Sequence, residues 1–153
     1  MHLILQGVLA PEDIATLRKD LAQVPWGSGK RTAGAAARGV KDNLQADGCD
    51  PRTQALERFV TDALYRHPMF DIAARPAKVS RLLFSRYEPG MTYGAHTDDA
   101  LMGAGEAQLR TDLAFTLFLA EPASYEGGAL TLDTPLGEQA VKLEAGDAIL
   151  YPA

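Results

Sequence analysis

The chain has 153 residues, 46% of them apolar and 23% charged, with a formal net charge of −5 and a pI near 5.1. That length suits one domain, and the acidic balance argues against a nucleic-acid-binding surface, which needs a basic face. No segment approaches the roughly 18 consecutive apolar residues of a membrane span. Met1 to Gly7 lacks the basic start and apolar run of a secretory signal, and the single Cys49 excludes an internal disulfide or a cysteine-based zinc site. The expected location is the cytoplasm.

Leu3-Ile4-Leu5 predicts a short strand. Pro11-Glu12-Asp13 opens a helix, because proline suits the first helical position and acids suit the first turn. Ile14, Leu17, Leu21 and Val24 follow at helical spacing, and Pro25 ends the run. Gly27 to Gly39 reads as a loop. Lys30, Arg31, Arg38 and Lys41 make that region basic with no intervening acid. It is either a solvated loop or a lip for an acidic substrate or partner. Asp50-Pro51 starts a second helix with Leu56, Phe59, Val60, Ala63 and Leu64 on its buried stripe, closed by His67-Pro68.

From Lys78 the texture turns to β. Strands are expected over 79–87, 112–119, 129–133, 139–143 and 148–151, separated by turn-forming Glu88-Pro89-Gly90, Glu126-Gly127-Gly128, Pro135-Leu136-Gly137 and Ala145-Gly146-Asp147. The expected class is α+β, with a helical support region at 1–77 and a β-sandwich or jelly-roll core at 78–153, together one structural domain.

The chemistry-bearing element is His96-Thr97-Asp98. In an extended backbone alternate side chains leave the same face, so imidazole and carboxylate converge on one ion. A second histidine beside such a pair completes the facial triad of non-haem Fe(II) oxygenases. With three histidines and 20 acidic residues, chance supplies about 0.4 such triplets, so the triplet alone is weak. Context strengthens it: the pair follows a predicted strand and a Pro-Gly turn, with Tyr87 and Tyr93 just upstream.

The stretch Arg86-Tyr87-Glu88-Pro89-Gly90-Met91-x-Tyr93-Gly94-x-His96-x-Asp98 resembles the core motif of PKHD-type hydroxylases, relatives of the prolyl 4-hydroxylases among Fe(II)- and 2-oxoglutarate-dependent dioxygenases. Leu113-x-x-Thr116-Leu117-Phe118-Leu119, Tyr125-Glu126-Gly127-Gly128-x-Leu130 and Ala145-Gly146-Asp147-Ala148-Ile149-Leu150-Tyr151-Pro152 are similar to further family motifs. So are Trp26-x-x-Gly29 and Thr32-Ala33-Gly34. The resemblance implies a double-stranded β-helix (jelly roll) with outer helices, and His96 and Asp98 as iron ligands. Tyr87 would reach 2-oxoglutarate or be a core aromatic with its hydroxyl tied to backbone, and Tyr93 would pack beneath the metal. It also implies ascorbate as the reductant that keeps iron ferrous.

In the family the closing strand is followed by a distal histidine and, later, by an arginine for the distal carboxylate of 2-oxoglutarate. Both are expected beyond Ala153, with the last jelly-roll strand, so the expected activity is that of a longer parent. His2 and His67 are poorly placed to substitute. The expected function is hydroxylation of a substrate that is peptidyl or amino-acid-like by analogy. The competing readings are a non-catalytic jelly-roll module binding a metal or small molecule and, more remotely, a cupin-like enzyme using several histidines.

Overall fold

A computed structural model describes residues 2–35, 37–103 and 105–153, with Ala107 described by its backbone alone. In chain order the elements are β1 (Leu3–Leu5), α1 (Pro11–Leu21), β2 (Trp26–Ser28), β3 (Lys41–Asp42), β4 (Leu44–Ala46), α2 (Pro51–Arg66) and α3 (Pro68–Ala74). Then come β5 (Ser85–Arg86), β6 (Thr92–Tyr93), β7 (Leu101–Met102), β8 (Leu109–Arg110), β9 (Leu113–Leu117), β10 (Leu130–Thr134), β11 (Gly137–Val141) and β12 (Ala148–Pro152). Every strand pairing among the described residues is antiparallel.

The core forms where β12 lies between β1 and β9. Leu3 pairs with Leu150, and Ile149 with Thr116. Ala148, Ile149 and Leu150 are all buried, so β12 reads as a continuous apolar run rather than an alternating one. Leu5, Leu17, Val60, Leu64 and Phe70 bring β1 and the three helices into the same apolar cluster. Both long helices start as their sequences dictate. Pro11 and Pro51 stand in the first turns, and the Asp50 carboxylate caps α2 by accepting from the Arg52 backbone N–H at 2.8 Å.

The sequence reading lacked the two-residue strands β6, β7 and β8 and gave Gly27 and Ser28 of β2 to a loop, and three further features depart from it. Pro68, expected to close α2, also opens α3, where its missing N–H costs nothing, and Phe70 anchors that short helix in the core. The predicted strand over 79–87 pairs only at Ser85–Arg86, with one further bond from the Ala46 N–H to the Phe84 carbonyl at 3.0 Å. Upstream of it Arg81 turns to the helix side, where its guanidinium forks onto Glu57 of α2 (3.1 and 2.8 Å) and also meets the Gly48 carbonyl.

The third departure matters most for the site. Residues 41–46, unassigned in the sequence reading, supply β3 and β4. β4 lies between β2 and β5, and β3 pairs with β6. Its inward positions are Lys41, Asn43 and Gln45, at 4%, 3% and 5% exposure. A strand whose buried face is polar gives no apolar alternation, which is why the hydropathy pattern conceals it.

Candidate metal centre

His96 and Asp98 follow β6 directly, in a segment with no ladder partner among the described residues. β6 is fixed by its register with β3, Tyr93 opposite Lys41 and Thr92 opposite Asp42, and by the Gly94 N–H donating to the Val40 carbonyl at 2.8 Å. A Cβ at Gly94 would stand 3.0 Å from the Val40 Cβ, so glycine lets the two strands close at the point where the chain leaves for His96.

The His96 Nε2 lies 3.5 Å from the Asp98 Oδ1. The other ring nitrogen, Nδ1, is 2.8 Å from the Gly94 carbonyl oxygen. A carbonyl only accepts, so Nδ1 carries the proton, and Nε2 of the neutral ring presents a lone pair to the carboxylate. Two acceptors facing each other at this distance repel unless a proton or cation stands between them. Donors held roughly 2.1 Å from one ion are about 3.0 Å apart at a right angle and about 3.4 Å apart at the tetrahedral angle. The pair therefore fits a shared divalent ion, and a backbone carbonyl orienting the ligand histidine is the usual supporting arrangement.

The ring of Tyr93 stacks on that of His96, with centroids 3.7 Å apart and an interplanar angle of 13°. Lys41 stands over the same tyrosine with its Nζ 4.8 Å from the ring centroid, and donates to the Thr32 hydroxyl at 3.1 Å. That hydroxyl donates in turn to Gln45 Oε1 at 2.6 Å, and Gln45 Nε2 donates to the Ser85 hydroxyl at 3.3 Å. Asn43 Nδ2 donates to the Tyr87 hydroxyl at 2.9 Å. The Tyr87 proton is thereby left for an outward acceptor, although the ring is about half exposed. Its hydroxyl is tied to a side chain rather than to backbone.

Charges around Asp98 follow from this packing. Burial holds the Lys41 ammonium below the usual lysine range, and the Asp98 carboxylate opposes that shift. Burial raises the Tyr93 hydroxyl, and Asp98 adds to the rise. Tyr151 of β12 is also raised by burial, against its hydrogen bond with Thr116, with Asp98 and Tyr87 adding. Lys41, Asn43 and Thr32 were absent from the sequence-derived site. The signal that would have found them is the polar i, i+2, i+4 series Lys41-Asn43-Gln45 directly after a glycine-rich loop.

The Asp99 carboxylate packs against the backbone of Gly34, where a Cβ would meet it at 2.6 Å. The basic 30–41 stretch therefore abuts the His96–Asp98 segment. His67 is elsewhere: its Nε2 lies 3.0 Å from the Gln6 carbonyl. Among the described residues no group of three His, Cys, Asp or Glu side chains is arranged to hold a metal. A cleft of about 350 Å³ lies between α2 and residues 79–82, lined by Glu57 and Arg81, and contains none of the site residues.

The profile of the 2OG-Fe(II) oxygenase superfamily matches residues 82–153. A PKHD-type hydroxylase of Thioalkalivibrio sulfidiphilus, Tgr7_2199, is 47% identical over 153 residues, which is 100% of this chain and 68% of that protein. The chain belongs to the PKHD-type hydroxylases. A second member, from Crocosphaera subtropica, is 44% identical over the same 153 residues. A third, KPN78578_12210 of Klebsiella pneumoniae, is 46% identical over 150 residues, or 97% of this chain and 67% of that protein. The family is one of 2OG-Fe(II) oxygenases, which implies Fe(II) and 2-oxoglutarate as its reagents. Among the described residues no helix is long and apolar enough to cross a membrane.

Proposed function

We propose that this protein is an Fe(II)- and 2-oxoglutarate-dependent hydroxylase whose iron is held by His96 and Asp98. The observation that carries the reading is His96 Nε2 standing 3.5 Å from Asp98 Oδ1, with Nδ1 held 2.8 Å from the Gly94 carbonyl oxygen. When bound, iron and 2-oxoglutarate supply the activation of oxygen, coupled to decarboxylation of the co-substrate.

The chain's own residues do the positioning. Gly94 fixes the tautomer of His96, and Tyr93 holds its ring plane by stacking. Tyr87, with its hydroxyl oxygen occupied by Asn43, directs its proton to a carboxylate or carbonyl of 2-oxoglutarate. No side chain has to act as nucleophile or general base. In this reading residues 78–153 belong to a jelly-roll core supported by the 1–77 region, ascorbate keeps the iron ferrous, and the enzyme works in the cytoplasm. The substrate is peptidyl or amino-acid-like, by kinship with prolyl hydroxylases, which is an analogy of fold rather than of site.

The test is succinate release from 2-oxoglutarate, followed by NMR, in the longest polypeptide the gene encodes, loaded anaerobically with Fe(II) and then given oxygen. Succinate should form in the wild type and not in His96→Ala or Asp98→Ala. Metal binding without succinate would assign a non-catalytic metal-binding module instead.

A further inference from the structure

Lys41 is 4% exposed, yet among the described residues no carboxylate lies within ion-pair distance of its ammonium. Of its three donor hydrogens one goes to the Thr32 hydroxyl, and one face meets the Tyr93 ring. A buried cation with no ionic partner is costly, and lysines are rarely buried unless paired. Among the described residues the carboxylate that acts on it electrostatically is that of Asp98. In the reading proposed above, that charge is spent on the metal. A divalent ion, Asp98 and Lys41 then sum to two positive charges, which a dicarboxylate cancels.

The surroundings are those of a receptor rather than of a stray lysine. Thr32 is held by Gln45, and Gln45 by Ser85, so the hydroxyl that steadies the ammonium is itself fixed. The register of Lys41 opposite Tyr93 places the ammonium one aromatic ring away from His96. The basic stretch that composition left open as a lip for an acidic ligand thus contributes one residue, Lys41, to the interior of the site, while Lys30 stays exposed.

We propose that Lys41 is the receptor for a ligand carboxylate brought beside the His96–Asp98 pair, belonging to an acidic substrate or, alongside the arginine that the family resemblance implies beyond Ala153, to 2-oxoglutarate. The inference rests on the metal reading for its charge balance, and its geometry stands independently of it.

The experiment is a thermal-shift titration of the full chain, with and without Mn(II), in wild type, Lys41→Met, Lys41→Arg and the surface control Lys30→Met. The probes are 2-oxoglutarate, glutarate, 2-oxopentanoate (which lacks the distal carboxylate) and N-acetylglutamate amide. At tenfold excess over its dissociation constant, a bound ligand should raise the wild-type midpoint by roughly 3–6 °C. Lys41→Met should weaken carboxylate binding by roughly tenfold or more, the loss of one charge-assisted hydrogen bond. Lys41→Arg should retain part of it, and Lys30→Met all of it.

Loss of 2-oxoglutarate binding, with its preference over 2-oxopentanoate abolished, identifies the co-substrate as the source. Unchanged 2-oxoglutarate binding, with N-acetylglutamate amide no longer binding the saturated protein, identifies the substrate. The midpoint of ligand-free Lys41→Met should hold or rise, since an unpaired buried charge is removed. Unchanged binding of all four probes in Lys41→Met overturns the proposal, and Lys41 is then only a packing residue. A missing Mn(II) shift counts against the iron reading alone, because metal-free stabilisation by glutarate that disappears in Lys41→Met still supports the receptor.

Discussion

Gly29→Ala tests whether the polar strand beneath the site is as tightly built as the packing indicates. A Cβ at this position would overlap Asn43 Oδ1 and stand 3.0 Å from Asn43 Cγ and 3.3 Å from Gln45 Cγ. Asn43 is 3% exposed and cannot swing into solvent, so it must move off Tyr87 and break the 2.9 Å bond to the phenol. Overpacking of this kind costs about 1–3 kcal/mol, and the lost hydrogen bond about 1 kcal/mol more. Against this, alanine reduces the entropy of the unfolded chain, which favours folding by about 0.4–1 kcal/mol. The clash wins, leaving a net loss of about 1–3 kcal/mol and a midpoint lowered by roughly 2–12 °C for a chain of this size.

The assay is thermal and urea unfolding of Gly29→Ala, Asn43→Ala and the double variant. Removing the Asn43 side chain vacates the space the new methyl needs, so the double variant should be more stable than additivity requires by about 1–3 kcal/mol. Additivity within about 0.5 kcal/mol, or a stabilised Gly29→Ala, would refute the packing argument.

Three further outcomes are expected. The Asp50 carboxyl is held down at about 2 by its hydrogen bonds and charge contact with Arg52. Its folded value lies below its unfolded one, so its contribution is complete above the unfolded value of 3.8 and disappears as pH falls toward about 2. In acid unfolding series the stability gap between wild type and Asp50→Asn should therefore narrow between those pH values; a constant gap would show that Asp50 caps no differently when ionised. Arg81→Met leaves the largely buried Glu57 carboxylate without its fork. Because the Arg81 side chain itself is 58% exposed and screened, the cost should be limited to about 1–3 kcal/mol in urea unfolding. Tyr93→Leu removes the stack on His96 and should weaken divalent-metal binding by roughly two- to tenfold, with Tyr93→Phe unchanged, both read by calorimetry.

The two long helices and the four later strands were legible because each pairs a strong start or turn signal with an apolar face. Pro11 and Asp50-Pro51 mark helix starts that the structure reproduces. The His96/Asp98 pair could be singled out from the sequence by its context and family likeness rather than by its spacing, and the fold brings the two side chains to 3.5 Å. What stayed hidden are the parts that support it. Residues 41–46 bury Lys41, Asn43 and Gln45, so the strand inverts the pattern by which strands are recognised. The contacts of Gly29 with Asn43 and of Gly34 with Asp99 join residues 14 and 65 positions apart, and local sequence carries no mark of either. The motifs Trp26-x-x-Gly29 and Thr32-Ala33-Gly34 were visible as a likeness, and their physical role emerged only when Gly29, Thr32 and Gly34 were seen touching the site.

The central claim is tested most directly by anaerobic Fe(II) titration of wild type, His96→Ala and Asp98→Ala, monitored by calorimetry. Loss of a ligand on the ion should weaken binding by more than about tenfold in each variant, with unfolding midpoints in the absence of metal unchanged. Equal Fe(II) affinity in all three proteins would contradict the account, whatever the remaining site residues do.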